Sequence, residues 1–178
     1  MPGGTLAHRI DAYRRLFLTA GIVFLLDQLT KFWISNRLPI DSYYQGESIT
    51  IIPDFFYLVH IGNRGAAWGI MEGQGLFLAI AALVALGALF YFRKSLELYR
   101  HSHQWIFGLM SGGILGNLLD RLLHGHVIDF LDFHFPVSIP YILEGGRYPA
   151  FNIADSGIVV GVFAYLLLGF FQKDAAAV

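Results

Sequence analysis

The sequence predicts an all-α membrane protein with four transmembrane helices and a small extracytoplasmic β-sheet. First, 56% of the 178 residues are hydrophobic and only 14% are charged, whereas a soluble domain has roughly 25% charged residues. Second, four apolar stretches approach the ~20 residues that a helix needs to cross a bilayer. Third, this length suits one domain and no internal repeat divides the chain, so residues 1–178 are expected to form a single unit.

The four helices are predicted where apolar residues continue without turn residues between them. We place them near Leu16–Ile34, Gly75–Phe92, Gln104–Leu123 and Ile153–Phe171. A cleaved signal peptide is the alternative for the first stretch. However, Asp27 and Lys31 interrupt its apolar run, and no small-x-small cleavage site follows before Pro39. We therefore predict that the first stretch is retained as a membrane helix.

The positions of lysine and arginine predict the orientation, because short cytoplasmic connections carry an excess of them. Basic residues precede the first helix, fill the turn between the second and third, and follow the fourth: Arg9, Arg14, Arg15, Arg93, Lys94, Arg100 and Lys173. Both termini are therefore expected in the cytoplasm. The two longer connections, Ser35–Gln74 and His124–Asn152, then face outward.

Glycines at a four-residue spacing mark the third and fourth predicted helices. Small residues at that spacing let helix backbones approach each other closely within a membrane. We therefore expect tight helix packing at Gly108, Gly112, Gly116, Gly157 and Gly161.

The first outer connection contains segments typical of strands. Ser48–Ile52 and Phe55–Ile61 are short runs rich in isoleucine and aromatic residues, separated by Pro53-Asp54, and this pattern predicts two strands. A third extended piece is predicted at Ala66–Ile70. The resulting small sheet, near residues 40–72, is expected at the membrane surface, where aromatic side chains meet the lipid headgroups.

The composition excludes several classes of function. The net charge is −1 and the chain has no basic tail or stripe, so nothing points to nucleic-acid binding. Cysteine is absent, which excludes thiol catalysis, disulfides and thiolate metal sites. No serine lies in a GxSxG motif, which argues against a hydrolase of that type.

Charged residues inside the predicted helices need a reason, because each costs roughly 2.5–3.5 kcal/mol on insertion scales. Asp27 and Lys31 are four residues apart and share a helix face, so we predict a structural ion pair rather than a direct catalytic role. Asn117, Asp120 and Arg121 gather at the outer end of the third helix. Arg121 either pairs with Asp120, pairs with a carboxylate elsewhere, or donates to a peptide carbonyl.

Two aspartates lie at similar depth on the predicted outer side. Asp129 follows the third helix and Asp155 opens the fourth. If these helices are neighbours the carboxylates meet, and then only one of them ionises cheaply. Such a pair supplies a general base for water and a general acid for the carbonyl oxygen or the leaving amine. Spacing alone equally allows a plain helix cap between Asn152 and Asp155, with Asp129 an ordinary loop acid.

A metal site and a transport pathway are the alternatives to this pair. His124, His126 and Asp129 are suitable ligand types for zinc, but their spacing matches no compact metal motif and no HExxH helix is present. A small transporter would use the charged groups of the first and third helices as a relay, with inverted repeats or helices broken at the midplane. The polar residues gather instead at the outer ends of the helices.

Five segments of the chain carry most of these polar residues: Asp27–Lys31, Asn63–Trp68, Gly112–Arg121, Gly125–Phe130 and Phe151–Ser156. Together they closely resemble the signature segments of the lipoprotein signal peptidase family, also called signal peptidase II. The likeness extends from the first predicted helix to the end of the fourth, and the order of the segments agrees with the predicted topology.

The resemblance implies a fold, a reaction and a set of site residues. It implies four transmembrane helices, a periplasmic β-cradle and a loop closing over the site, in a protein of the bacterial inner membrane surrounded by membrane lipids. The reaction implied is removal of the signal peptide from a diacylglyceryl-modified prolipoprotein, just before the lipidated cysteine. Neither a cofactor nor a metal is implied, and globomycin-type cyclic peptides would inhibit. The catalytic pair would be Asp129 and Asp155, with substrate-binding or supporting roles for Asn63, Asn117, Arg121 and Asn152.

The chain departs from the family pattern in two places. Arg64 and Trp68 stand where the family often has a small polar residue and a phenylalanine. The segment between the two aspartates, through Pro136, Pro140 and Glu144–Arg147, is longer than usual. Both departures bear on how the loop closes and which substrates fit.

The charge of the two aspartates at rest is also predicted. Asp155 lies in the first turn of a helix, where free N–H groups and the macrodipole favour a negative charge. Asp129 is expected in a loop among apolar neighbours, where desolvation favours the neutral acid. We therefore predict that Asp155 is ionised and Asp129 holds the proton, unless Arg121 reaches Asp129 first.

Overall fold

The computed structural model describes residues 12–42 and 47–175, with side chains described as far as residue 171. The described residues form four helices and three strands: α1 Arg14–Ser35, β1 Ile49–Ile52, β2 Phe56–Asn63, α2 Gly75–Tyr91, α3 His101–His124, β3 Val127–Phe133 and α4 Ile153–Ala175. A 3₁₀ helix covers Ala67–Gly69. Of the basic residues behind the predicted orientation, Arg9 and the side chain of Lys173 lie outside this description.

Three of the helices are long and apolar enough to cross a membrane. They are α1, α3 and the Ile153–Phe171 part of α4. The second helix, Gly75–Tyr91, is apolar but has 17 residues, which makes it about 26 Å long at ~1.5 Å per residue. The hydrocarbon core of a bilayer is about 30 Å thick. The structure therefore carries three candidate spans within the described residues, and a fourth span at α2 stays a prediction.

The third helix is the centre of the bundle and packs against the other three helices. Its glycines make this packing possible, because a side chain would collide with the neighbouring helix. A Cβ atom on Gly112 would lie 2.6 Å from the carbonyl oxygen of Ala20, and one on Gly116 would lie 2.5 Å from Oδ2 of Asp27. The predicted close approach of the helices is confirmed at these positions.

The sheet is antiparallel throughout, in the order β1-β2-β3. The first two strands agree with prediction to within two residues. The third predicted piece, Ala66–Ile70, is wrong. That segment is a tight turn closed by the hydrogen bond from Ala66 N–H to Ile70 O at 2.7 Å, and Trp68 and Gly69 both have left-handed backbones, at φ 57° and 71°.

The true third strand is Val127–Phe133, which we expected to be a loop. Its residues from Val127 to Phe130 are all buried, so the polar–apolar alternation that identifies a half-exposed strand is missing. Asp129 is therefore a strand residue, contrary to prediction. Ile128 and Phe130 pack with Ile34 in one apolar cluster, which fixes β3 against the end of α1.

Candidate active site

Asp129 lies in the middle of β3 and is 2% exposed. Gly125 ends α3 in the left-handed conformation, with φ 74°, and its N–H donates to the carbonyl oxygen of Arg121 at 3.1 Å. The chain therefore reverses into β3 within two residues. Asp129 pairs with Ile61 of β2. Asn63, near the end of that strand, reaches across, and its Nδ2 donates to Oδ2 of Asp129 at 2.8 Å.

Asp155 lies in the first turn of α4 and is held by a reciprocal helix cap. Its backbone N–H donates to Oδ1 of Asn152 at 2.8 Å, and its Oδ2 accepts the backbone N–H of Asn152 at 3.2 Å. Its other oxygen, Oδ1, accepts from Nδ2 of Asn117 at 2.7 Å. The cap that the spacing allowed is present. Because the cap uses only Oδ2, the Oδ1 atom can bond to Asn117 of α3.

Asn152 connects the two carboxylates and is fully buried. Its side-chain Nδ2 donates to Oδ1 of Asp129 at 2.8 Å, while its backbone N–H donates to Asp155. The same Nδ2 lies 3.1 Å from Oδ1 of Asn117. The two aspartates that come from different elements are thus joined in one hydrogen-bonded cluster with Asn63, Asn117 and Asn152.

A buried ion cluster of Asp27, Lys31 and Asp120 lies next to this site. Nζ of Lys31 lies 2.8 Å from Oδ2 of Asp27 and 2.8 Å from Oδ2 of Asp120. All three side chains are at most 2% exposed. The predicted pair between Asp27 and Lys31 is therefore formed, with Asp120 as a second acidic partner. Gln28 closes the cluster by donating from Nε2 to both aspartates, at 3.1 and 3.0 Å.

The ion cluster also holds the backbone next to each aspartate of the site. Oδ1 of Asp27 accepts the N–H of Ala154 at 2.9 Å, and Oδ2 of Asp120 accepts the N–H of Ile128 at 3.1 Å. Ala154 immediately precedes Asp155, and Ile128 immediately precedes Asp129. Lys31 further donates to Oδ1 of Asn117 at 2.9 Å. The ion cluster thus fixes the position of both carboxylates without contacting either.

Arg121 contacts peptide carbonyls, the third of the predicted alternatives. Its Nη2 donates to the carbonyl oxygen of Gly65 at 3.0 Å and its Nη1 to that of Asn117 at 3.3 Å. Its buried Nε has no hydrogen-bond partner within the described part of the chain. Among the described residues Arg121 forms no ion pair with Asp120, whose carboxylate pairs with Lys31. The guanidinium charge still acts on both Asp155 and Asp129 through space.

The surroundings of Asp129 favour its neutral form. Burial raises the pKa of Asp129 to about 7, and the negative charge of Asp155 acts in the same direction. The side-chain hydrogen bonds from Asn63 and Asn152 and the charge of Lys31 oppose this rise. The direction is the one expected for a buried carboxyl group, and the assignment of the proton to Asp129 rather than Asp155 stays a prediction.

The candidate metal ligands do not come together. The rings of His124 and His126 are 6.0 Å apart, and both line a cavity of about 310 Å³ with Arg64. The Asp129 carboxylate is bonded to Asn63 and Asn152 instead. Nowhere in residues 12–42 and 47–175 do three histidine, aspartate or glutamate side chains form a group that could hold a metal ion.

The two segments that were expected to depart from the family pattern contact each other. Nε1 of Trp68 donates to the carbonyl oxygen of Ile142 at 3.4 Å. The Trp68 ring also contacts Tyr148 edge to face, with ring centroids 5.8 Å apart. The loop that carries Arg64 and Trp68 therefore lies against the long segment between β3 and α4.

Sequence reasoning missed one contact and one member of the ion cluster. Asp120 and Lys31 were both candidates, but they are 89 positions apart, so no helix or strand periodicity predicts that they pair. Gln28 gives no signal of its own, because an isolated glutamine in a helix has no pattern. Its place directly after Asp27, in a helix face that already needed an explanation, was the available signal.

Comparisons with known proteins identify the family. The family model of signal peptidase (SPase) II, Peptidase_A8, matches residues 19–171. The lipoprotein signal peptidase of Syntrophus aciditrophicus is 40% identical over 171 residues, covering 89% of this chain and 94% of the relative. That of Staphylococcus carnosus is 36% identical over 163 residues, covering 92% and 94%.

A solved structure of a bacterial membrane enzyme, obtained by the in meso method at 2.3 Å resolution, aligns with a TM-score of 0.75 at 34% identity. It covers 90% of both chains. The chain therefore belongs to the signal peptidase II family, whose members are membrane peptidases that cleave signal peptides from prolipoproteins. The family resemblance inferred from the motifs is confirmed.

Proposed function

We propose that Asp129 and Asp155 are the catalytic pair of this peptidase. The proposed substrate is a diacylglyceryl-modified prolipoprotein, and the bond cut is the one just before the lipidated cysteine. The observation that carries this proposal is the double contact of Asn152, which donates to Asp129 from its side chain and to Asp155 from its backbone. Two carboxylates held by one buried residue have the arrangement that general acid–base catalysis needs.

The chemistry divides between a charged and a neutral carboxyl group. Asp155, as carboxylate, takes a proton from a water molecule while the water oxygen bonds to the scissile carbonyl carbon. Asp129, as carboxylic acid, donates its proton to the carbonyl oxygen. When the C–N bond breaks, the nitrogen takes the proton from Asp155, and a hydroxyl proton of the intermediate returns to Asp129. The products are a new carboxyl terminus and a new amino group, with the pair in its starting state.

The asparagines and Arg121 support this pair and bind substrate. Asn63 and Asn117 each direct an amide N–H at one carboxylate oxygen, which fixes the rotamer of each catalytic side chain. The free Nε–H of Arg121 is available to a substrate carbonyl, because an unmade hydrogen bond in a buried donor is costly and a ligand relieves it. The ion cluster of Asp27, Lys31 and Asp120 stays structural.

The proposed setting is the bacterial inner membrane, with α2 as a fourth span and both termini in the cytoplasm. Arg93, Lys94 and Arg100 precede α3, whereas Asp129 follows it. A helix of 24 residues separates its ends by about 36 Å at ~1.5 Å per residue. The basic turn and the aspartates therefore lie near opposite membrane surfaces. With the basic turn inside, the catalytic pair faces outward.

The test is cleavage of a lipidated pre-lipoprotein by purified enzyme, followed as the shortened product. Asp129→Asn and Asp155→Asn should each lower turnover by about 10²- to 10⁴-fold, the range attributed to a general acid or base. Asp54→Asn is the matched control, because Asp54 is exposed and asparagine tolerates its left-handed φ of 59°. Chelators should leave activity unchanged, and globomycin-type cyclic peptides should inhibit it. Near-normal turnover in either variant of the pair would overturn the assignment.

A further inference from the structure

A second buried carboxylate of β3, that of Asp132, has no place in the chemistry above. It is 1% exposed. Arg147 donates to it with both arms of its fork, from Nε to Oδ1 at 2.8 Å and from Nη2 to Oδ2 at 2.6 Å. Nε2 of His134 lies 2.9 Å from Oδ2. Two-point pairing of this kind fixes relative orientation as well as contributing energy.

Arg147 stands where the long segment between β3 and α4 returns to the sheet. The excursion, residues 135–146, is closed at its base by the N–H of Phe135 donating to the carbonyl oxygen of Gly146 at 2.7 Å. From there the return segment, residues 147–151, runs antiparallel to β3. The N–H of Tyr148 donates to the carbonyl oxygen of Phe133 at 3.0 Å, and the return segment ends at Phe151, directly before Asn152.

The ladder between β3 and the return segment continues to the catalytic residues. Phe151 pairs with Leu131, accepting its N–H at 2.8 Å and donating back at 3.1 Å. Two residues earlier on β3 is Asp129, and one residue later on the return segment is Asn152, whose Nδ2 donates to it. A shift of the return segment along β3 would therefore carry Asn152 away from Asp129.

We propose that Asp132 and Arg147 are positioning residues for the cleavage reaction. Their paired side chains hold the return segment in register with β3 and thereby keep Asn152 on Asp129. This inference rests on the proposed function of the aspartate pair. Much of the excursion is exposed, and Gly145 and Gly146 have left-handed backbones at φ 62° and 81°. The two-point pair of Arg147 with Asp132, at the base of the excursion, would keep any movement of the excursion from displacing the catalytic residues.

The experiment measures kcat and KM on the lipidated pre-lipoprotein for Arg147→Ala, Arg147→Lys and Asp132→Asn. Arg147→Ala should lower kcat about 10- to 100-fold with KM within threefold, since the substrate contacts are untouched. Arg147→Lys keeps the charge but cannot make the two-point contact with Asp132, so its kcat should lie between those of the wild type and of Arg147→Ala. Added guanidinium ion should restore part of the kcat of Arg147→Ala only. Arg37→Ala is the matched control, because Arg37 is exposed and stacks on Trp33 away from this ladder.

A pH profile distinguishes positioning from mere stabilisation. The hydrogen bond from Asn152 lowers the pKa of Asp129, so weakening it in Arg147→Ala should move the alkaline limb of kcat towards higher pH. Asp155, Lys31 and Arg121 also act on Asp129 by charge, but they lie on helices that the fork does not contact. A purely structural role would lower the melting temperature and leave the limb and the kcat of folded enzyme unchanged.

The outcomes separate this inference from the proposed function. If Arg147→Ala and Asp132→Asn keep kcat within threefold and the limb does not move, the positioning role is wrong. If Arg147→Ala does not fold, Arg147→Lys decides: wild-type kcat with an unmoved limb overturns the role, and a reduced kcat with a shifted limb supports it. Substantial turnover by Asp129→Asn would instead remove the catalytic pair itself, whatever the fork variants do.

Discussion

Replacing Asn152 by serine tests the arrangement of the site most directly, because it separates the helix-capping role of this residue from its hydrogen bond to Asp129. The asparagine oxygen caps α4 by accepting the N–H of Asp155, and its amide nitrogen donates to Asp129. Serine is as good a helix N-cap as asparagine, but it is too short to place a donor on Asp129. Alanine removes both interactions.

The magnitudes follow from the two kinds of hydrogen bond. A hydrogen bond to a charged group contributes about 1.5–3 kcal/mol, and about 1.36 kcal/mol corresponds to tenfold in rate. If the 2.8 Å contact between Nδ2 of Asn152 and Asp129 acts fully in the transition state, Asn152→Ser should lose roughly 10- to 150-fold in kcat. Loss of an N-cap costs about 1 kcal/mol of stability, and only Asn152→Ala should show that additional loss.

The assay combines steady-state cleavage of a lipidated pre-lipoprotein with thermal unfolding in the same detergent. Asn152→Ser should show a large loss of kcat with a melting temperature above that of Asn152→Ala. A serine variant that turns over within threefold of wild type would refute the reasoning, because the contact with Asp129 would then contribute nothing to the reaction. Equal melting temperatures for the two variants would refute the capping part alone.

Three further predictions test charge, burial and orientation. The folded protein keeps the Asp129 proton up to about pH 7, whereas the unfolded chain loses it near pH 3.9, so stability should fall as pH rises through this interval. Asp129→Asn should therefore raise the melting temperature at pH 8 and leave it nearly unchanged at pH 4, and a rise of equal size at both would contradict the burial argument. Lys31→Met leaves two buried carboxylates without their cation and should destabilise by about 3–5 kcal/mol, measured by unfolding against Lys94→Met, whose side chain is exposed. A single cysteine at Glu144 should react with an impermeant thiol reagent added outside intact cells, and one at Ser102 should not; the reverse pattern would invert the proposed topology.

The helices could be predicted from sequence because they depend on a local property. Long apolar runs and their limits are visible along the chain, and the helix starts at Gly75 and Ile153 were predicted to the residue. The spacing of Asp27 and Lys31 likewise predicted their pairing, because positions four apart meet on any helix. Both features depend only on residues that are close together in the sequence.

The missed features depend on contacts between distant elements. The strand Val127–Phe133 has no alternation to reveal it, because both of its faces are covered. The extended piece expected at Ala66–Ile70 becomes a turn, because the chain folds back where Gly65 has no room for a Cβ: that atom would lie 2.7 Å from the carbonyl oxygen of Ile70. Arg121 had three possible partners from sequence, and only tertiary structure brings it to Gly65.

The chemistry of the site depends on how its cations are kept apart from the aspartates. A lysine paired directly with Asp129 would stabilise its charged form and remove the proton that the proposed reaction needs. Lys31 instead forms its ion pairs with Asp27 and Asp120, and among the described residues it forms none with Asp129 or Asp155. The amide of Asn117 stands between Lys31 and Asp155, accepting from one and donating to the other. Asparagines can orient a carboxylate without supplying a full positive charge, and neutral amides therefore suit two acids of which the proposed mechanism keeps one protonated.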